Sequence, residues 1–259
     1  MSFFCDSYPI LEKNEIATGI FSYVVQCSKP AAAAKAGQFV HIGVEGFTLR
    51  RPISICEIDK NKGSLRIVFE VRGAGTDKLS KLQVGDRMNM IAPLGNGFTI
   101  KKIPASKTVI VVGGGIGVPP MLQTAKSFSD NRVKAVTGFR SKDRVILEDD
   151  FKGIGADISV CTDDGSYGKK GLVTFPLIEE LEKGSTAMIY ACGPTPMLKA
   201  VINTARVYNV PCEVSLEQRM ACGVGACVGC AVNINRGGKD FVLRVCKDGP
   251  VFKAEEVIL

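Results

Sequence analysis

Histidine is nearly missing from this sequence, and its scarcity excludes a good deal. Only His41 occurs among 259 residues, so any site that needs several imidazoles is ruled out. His41 itself reads as a strand residue. Long apolar runs are missing too, since no stretch approaches the roughly 20 residues needed to cross a bilayer. The opening residues MSFFCDSYPI lack a basic region followed by an apolar run, so no secretory signal is expected and a soluble cytoplasmic protein is. No run of basic residues is flanked by aromatics. The net charge of +7 is spread along the chain and interleaved with acids, which argues against a nucleic-acid surface and suits small anionic ligands.

Cysteine, by contrast, is plentiful, with ten residues. Cys222, Cys227 and Cys230 lie in the segment MACGVGACVGC, and Cys246 follows after a strand-like excursion. That is the C-x4-C-x2-C…C spacing of a plant-type 2Fe-2S centre, in which four thiolates hold two irons. Gly223, Gly225 and Gly229 sit between the ligands, where the backbone must curl and bring N–H groups up to the sulfurs. A structural zinc site also takes four cysteines, but usually as two C-x2-C knuckles rather than three ligands in one loop and a lone fourth. Disulfides suit the chain less, given no secretory signal. Cys5, Cys27, Cys56, Cys161 and Cys212 read as reduced residues, mostly in apolar segments, whereas Cys192 stands apart.

The length allows two domains and a small appendage, and an apolar content of 46% provides a core for each. From Glu15 to about Asn96, short apolar segments alternate with glycine and charge, at Ile20–Cys27, Gln38–Val44, Ile53–Ile58, Ser64–Val71 and Asp86–Ala92. Such a run predicts a small antiparallel barrel, with a helix at Thr76–Leu82. Within it, Arg50-Arg51-Pro52-Ile53-Ser54-Ile55 enters a strand with paired guanidinium groups, suited to a pyrophosphate through Arg51 and a flavin edge through Ser54. Gly73-Ala74-Gly75-Thr76-Asp77 leads into a helix whose first N–H groups can meet a phosphate. Alone, the first also reads as a surface ion pair and the second as a plain turn. IAPLGNGF, at residues 91–98, closes the barrel and marks a boundary.

After Lys101 the pattern changes to β-branched runs alternating with helical segments. Strands are expected at Thr108–Val112, Val133–Phe139, Asp157–Thr162, Ala187–Ala191 and Cys212–Leu216, and helices at Pro119–Ser129, Val173–Lys183 and Pro196–Tyr208. Alternation of this kind builds a mostly parallel sheet covered on both faces, with ligands beyond the carboxyl ends of its strands. There stand Gly113, Gly114, Gly115 and Gly117, before the prolines of a helix start, in a cluster suited to pyrophosphate although not the G-x-G-x-x-G fingerprint. Cys192, Gly193, Pro194 and Met197 end the fourth strand; with no histidine to act as its base, Cys192 reads as positioning a nicotinamide ring. The loop from Thr162 to Gly168 offers Asp163 to a ribose, or is an Asp-Gly turn.

With these residues in view, the chain resembles the ferredoxin-NADP reductase superfamily, and within it the iron-sulfur electron-transfer subunits of class 1B dihydroorotate dehydrogenases. RRPISI, GAGT, GGGIGVPPML, TDDGSYGKKG and YACGPTPML occur in the order that family shows, followed by SLEQRMACGVGACVGCAV and a later cysteine. The resemblance implies an α+β and α/β multidomain chain: an antiparallel β-barrel flavin domain (1–100), a parallel-sheet α/β nucleotide-binding domain (101–216) and a small C-terminal 2Fe-2S domain (217–259). It implies FAD held by Arg51, Pro52, Ile53, Ser54, Val68, Phe69, Glu70, Gly75 and Thr76, and a 2Fe-2S cluster on Cys222, Cys227, Cys230 and Cys246. Ile53 stands where the superfamily usually has an aromatic residue, and the chain ends in EEVIL without a terminal aromatic.

A nicotinamide exchanges electrons in pairs and an iron-sulfur cluster singly, while a flavin does both, so the flavin belongs between them. The resemblance further implies a separate FMN-containing catalytic subunit that oxidises dihydroorotate in pyrimidine biosynthesis, in a heterotetramer of two of each chain, with NAD as final acceptor. A reductase subunit serving a hydrogenase, sulfite reductase or bifurcating transhydrogenase has the same three cofactors. Arg140, Lys142 and Arg144 leave a 2′-phosphate, and hence NADP, open.

Overall fold

The computed structural model describes residues 3–259. Its first part is a barrel of six strands: β1 (Phe4–Ala17), β2 (Ile20–Gln26), β3 (Phe39–Ile42), β4 (Arg51–Asp59), β5 (Ser64–Glu70) and β6 (Arg87–Leu94). The strands close in the order β1-β2-β5-β4-β3-β6, and every neighbouring pair is antiparallel. Closure leaves no unpaired edge. Tyr23, Val25, Val40, Ile42, Ile55, Leu65, Ile67 and Phe69 fill the interior. Two helices cap it, α1 (Ser28–Ala33) and α2 (Ala74–Ser80). The sequence pattern foretold neither β1 before Glu15 nor α1. Strand β1 buries only Ile10, so it carries little period-two signal, and α1 is six residues long without a side-chain cap.

The second part is a wound sheet. Its elements are β7 (Thr108–Gly114), α3 (Val118–Lys126), β8 (Arg132–Phe139), α4 (Glu148–Gly153), β9 (Asp157–Thr162), β10 (Lys169–Lys170), α5 (Thr174–Leu181), β11 (Thr186–Cys192), α6 (Thr195–Val207) and β12 (Cys212–Ser215). A hairpin of β13 (Ala231–Arg236) and β14 (Lys239–Arg244) follows, then β15 (Val251–Lys253). The sheet order is β10-β9-β8-β7-β11-β12-β15, parallel except where β15 runs antiparallel on β12. From β7 the chain winds outward to β8 and β9, then returns to build β11 and β12 on the other side. The switch point therefore falls between β7 and β11, where such sheets bind ligands.

Contacts across the parts hold these sites in register. The Asn96 backbone N–H donates to the Gly249 carbonyl at 2.5 Å, and its side-chain amide donates to the carbonyls of Lys247 and Asp248, each at 3.1 Å. Phe39 of β3 leaves the barrel interior and packs in the core that contains Cys230, Cys246 and Phe252. Arg66 of β5 pairs with Glu57 at 2.7 Å and with Asp150 of α4, while Lys126 of α3 pairs with Glu57 at 2.8 Å.

Candidate functional site

The loop after β12 turns its backbone toward its own sulfurs. The N–H groups of Ala226 and Cys227 point at Cys222 Sγ at 3.3 and 3.4 Å, that of Gly229 at Cys227 Sγ at 3.5 Å, and that of Cys246 at Cys230 Sγ at 3.4 Å. Gly223 and Gly225 turn with φ of +71° and +86°, and Val228 is held at +60°, a conformation costly for a β-branched residue. Burial works against ionising Cys222, yet the N–H groups of Cys227, Val224 and Ala226 outweigh it and bring its pKa down to about 6. Burial and the adjacent Cys230 thiol push Cys246 up to about 12.

Cys227 lies against Cys222 and Cys230 against Cys246, and the charge of Cys222 also reaches Cys246. Three ligands in one loop and a fourth returning after the hairpin, in the C-x4-C-x2-C…C spacing, suit a centre of two irons better than a single zinc. Arg244 donates to the Gly225 carbonyl at 3.1 Å, and the Lys247 side chain lies where a Cβ on Gly225 would come within 2.6 Å of its Cδ. Arg244 is itself paired with Asp248 at 3.0 Å, so of the two the Lys247 ammonium is the freer to offset the negative charge that thiolates bring. Cys230 and Cys246 are buried, whereas Cys227 is exposed beside Val228, itself 52% exposed. The inner end of the loop, at Gly223, lies on the ring of His41. Burial, then the charge of Arg50, lowers the His41 pKa to about 4, so the ring is neutral.

The flavin-strand residues Arg51, Pro52, Ile53 and Ser54 are each partly exposed along β4. The Arg51 guanidinium stacks over Phe47 at 4.9 Å and fills the space beside Gly75. RRPISI and GAGT are thereby brought together. The Thr76 hydroxyl accepts from the N–H groups of Arg72 at 2.9 Å and Gly73 at 3.2 Å, which shapes the turn into α2. Val68 and Phe69 are buried in β5, with Phe69 stacked on Phe21. The Glu70 carboxylate is engaged by Arg72 at 2.7 Å and by Arg144. Arg144 also donates to the Thr18 carbonyl at 2.9 Å, so it ties the second part to the barrel rather than standing free for a 2′-phosphate. A cation nested against a bare glycine, beside a half-open strand, fits a dinucleotide flavin.

At the switch point, Cys192 pairs with Gly113 across β11 and β7. A Cβ on Gly114 would stand 2.5 Å from Met197 Sδ and 3.0 Å from Pro194 Cδ, and one on Gly117 would stand 2.7 Å from Gly193 Cα. Gly115, at φ +52°, has nothing within 4 Å on that side. The glycines serve different purposes here: Gly114 and Gly117 let the two segments close, Gly113 lets its strand pass Val118 at the helix start, and Gly115 leaves open space on its side of the crevice. Burial raises the Cys192 pKa to about 12 against a hydrogen bond from Ser215, so the thiol is neutral and packs rather than attacks. Asp163 is exposed at the end of β9. Beyond β8 and β9 lies a hollow of ≈ 470 Å³ lined by Ser141, Lys142, Asp143, Asp164 and Ser166. Ser141 and Asp143 carry no motif; the Ser141 hydroxyl donates to the Asp143 carboxylate. A larger hollow, ≈ 1170 Å³, lies elsewhere, along Glu57, Arg66 and Lys126, and contains none of the expected site residues.

A flavin-type barrel, a wound nucleotide sheet and a four-thiol loop docked on both define the class: a ferredoxin-reductase-like electron-transfer protein. Comparison with known proteins narrows it. The family described as iron-sulfur cluster binding domain of dihydroorotate dehydrogenase B matches residues 217–258, and oxidoreductase NAD-binding domain matches 111–203. The dihydroorotate dehydrogenase B (NAD(+)) electron transfer subunit of Bacillus caldolyticus is 43% identical over 228 residues, 86% of either chain. That of Streptococcus mutans is 41% identical and covers 98% of both. A solved NADH-dependent reduced ferredoxin-NADP oxidoreductase, studied for flavin-based electron bifurcation, superposes with a TM-score of 0.85 at 33% identity, over 97% of this chain and 89% of that one. The chain belongs to the family of dihydroorotate dehydrogenase B electron transfer subunits.

Proposed function

We propose that this chain is the electron-transfer subunit of an NAD-linked dihydroorotate dehydrogenase, carrying electrons from the FMN of a catalytic partner to NAD in pyrimidine biosynthesis. Two copies of each chain form the complex. Its own division of labour is a barrel for FAD (1–100), a sheet for NAD (101–216) and a 2Fe-2S domain (217–259), from which the strand β15 returns to join the nucleotide sheet beside β12. When bound, FAD exchanges electrons singly with a cluster and in pairs with a nicotinamide. The observation that carries this reading is the position of the four-thiol loop, with Cys227 exposed at one end and the barrel at the other.

The chain's residues act by holding and excluding. Arg51 meets the pyrophosphate of FAD, and Ser54 stands three residues on at the ring edge, on the opposite face of the strand. Gly115 admits the pyrophosphate of NAD, while Cys192 and Met197 bound the nicotinamide pocket without offering a base. Val224 and Val228 exclude water around the cluster and meet the partner. Replacing Cys227 with Ala should abolish NAD-linked orotate formation by the complex and spare dye-linked oxidation of dihydroorotate by the partner. Unchanged NAD-linked turnover would refute the reading.

The 33% identity to the NADH-dependent ferredoxin-NADP oxidoreductase favours a second reading, a reductase subunit of a bifurcating enzyme. Purifying the native complex decides between them: an FMN subunit that oxidises dihydroorotate supports the first, and a larger flavin subunit that takes ferredoxin supports the second.

A further inference from the structure

We propose that His41 is the positioning residue that couples the cluster loop to the flavin-binding strand, so that its imidazole helps set the cluster's potential and its exchange of electrons with the flavin. This role rests on the 2Fe-2S reading of the four cysteines given above.

Three observations converge on it. Val40 and Ile42 point into the barrel core, so His41, between them, faces outward. Its cross-strand partner is Pro52, so the ring stands on the same face as a flavin-strand residue. Over that face lies Gly223, next to Cys222, and a Cβ there would come within 2.9 Å of His41 Cε1 and 3.1 Å of Cγ. Only a glycine lets the loop backbone rest on the imidazole.

The ring is 0% exposed, yet neither Nδ1 nor Nε2 has a hydrogen-bond partner. An unpartnered buried polar group costs about 1–3 kcal/mol, which a phenylalanine or leucine in the same space would avoid. Packing alone therefore does not account for a histidine here. The backbones of Arg50 and Cys222 face the ring without closing a hydrogen bond to it, one just before the flavin strand and one at a cluster ligand. A neutral imidazole has one N–H and one lone pair, enough to bridge two backbone segments. Hydrogen bonding and polarity around the sulfurs tune a cluster's potential.

The test uses the full chain, purified anaerobically with its cofactors, as wild type, His41→Phe and His41→Gln. Flavin and iron content, the EPR spectrum of the reduced cluster, its midpoint potential and the rate of cluster reduction by NADH are measured. His41→Phe should keep flavin and iron, shift both spectrum and potential, and slow cluster reduction about tenfold. His41→Gln, neutral and hydrogen-bonding, should restore all three toward wild type. A His41→Phe protein with wild-type spectrum, potential and rate overturns the proposal. Should His41→Phe fail to hold the cluster, His41→Gln decides: a wild-type spectrum supports the role, and equal loss of iron overturns it in favour of packing. A wild-type chain that takes up no iron overturns the functional reading itself, and this role with it.

Discussion

A Cβ built on Gly75 would stand 2.5 Å from Cζ of Arg51, so the guanidinium occupies the space left by the glycine's missing side chain. Gly75 does not have a positive φ, so alanine there acts through contact alone. Gly75→Ala should push Arg51 off its phosphate position and weaken FAD binding about tenfold. Arg51→Ala should weaken it by about 10–100-fold, matching the loss of a charge-assisted hydrogen bond worth roughly 1.5–3 kcal/mol. Titrating FAD into the deflavinated proteins measures both. Wild-type affinity in either variant would detach Arg51 from the flavin.

Gly117 and Gly115 separate packing from access. Gly117→Ala would set a Cβ 2.6 Å from the Cys192 carbonyl carbon, where backbone meets backbone and little can yield. It should destabilise the nucleotide sheet by about 1–3 kcal/mol, seen as a lower thermal midpoint. Gly115→Asn meets no neighbour within 4 Å and tolerates the positive φ of +52°, while its side chain extends into the crevice, so its KM for NADH should rise well above that of Gly117→Ala. Equal KM values would place the pyrophosphate elsewhere.

The ease with which each feature could be read from sequence follows the range of the interaction behind it. Cys222, Cys227 and Cys230 announce themselves because their ligand spacing is local, and strand Asp157–Thr162 because its alternation is bounded by turn residues. The short α4, Glu148–Gly153, escapes notice because its N-cap is Leu147 at φ 62°, without any side-chain cap. His41 against Gly223 and Arg144 against Glu70 join segments distant in the chain, and no single-segment pattern encodes such pairs. Cys192 is intermediate: its place at a strand end is legible, but its neutral, packed state depends on the burial that the fold supplies.

Acid should loosen the seam between barrel and nucleotide sheet. Burial alone would raise the Glu57 pKa, but hydrogen bonds from Lys126 and Arg66 hold it below its ordinary value of 4.5. A carboxylate with a depressed folded pKa stabilises fully above its unfolded pKa, and that stability is lost as pH falls through the folded value. Glu57→Gln should therefore cost about 1 kcal/mol near neutral pH, as for a partly exposed network. Below pH 4.5 its thermal midpoint should fall less steeply than that of wild type. Parallel midpoint curves down to strong acid would show that Glu57 does not bind the two parts together.

The outer end of the cluster loop provides the last test. Val228 is 52% exposed and Val224 37%, on a backbone strained at Val228, and the hairpin nearby leaves Val242 at 66%. Apolar side chains held out at such cost suit a surface that another chain covers, because water then leaves the path between cluster and partner. Val228→Asp places a charge at the centre of that contact and should weaken assembly with the catalytic subunit by about 10–100-fold, or roughly 1.4–2.8 kcal/mol. The variant should keep its iron and flavin, and its reduction of dyes by NADH should stay at the wild-type rate, since the FAD and NAD residues lie on other elements. Val207, at 80% the most exposed of the large apolar side chains among the described residues, lies at the end of α6 and provides the control. Val207→Asp should leave assembly unchanged. If both aspartates weakened assembly equally, or neither did, the partner would dock away from the cluster loop.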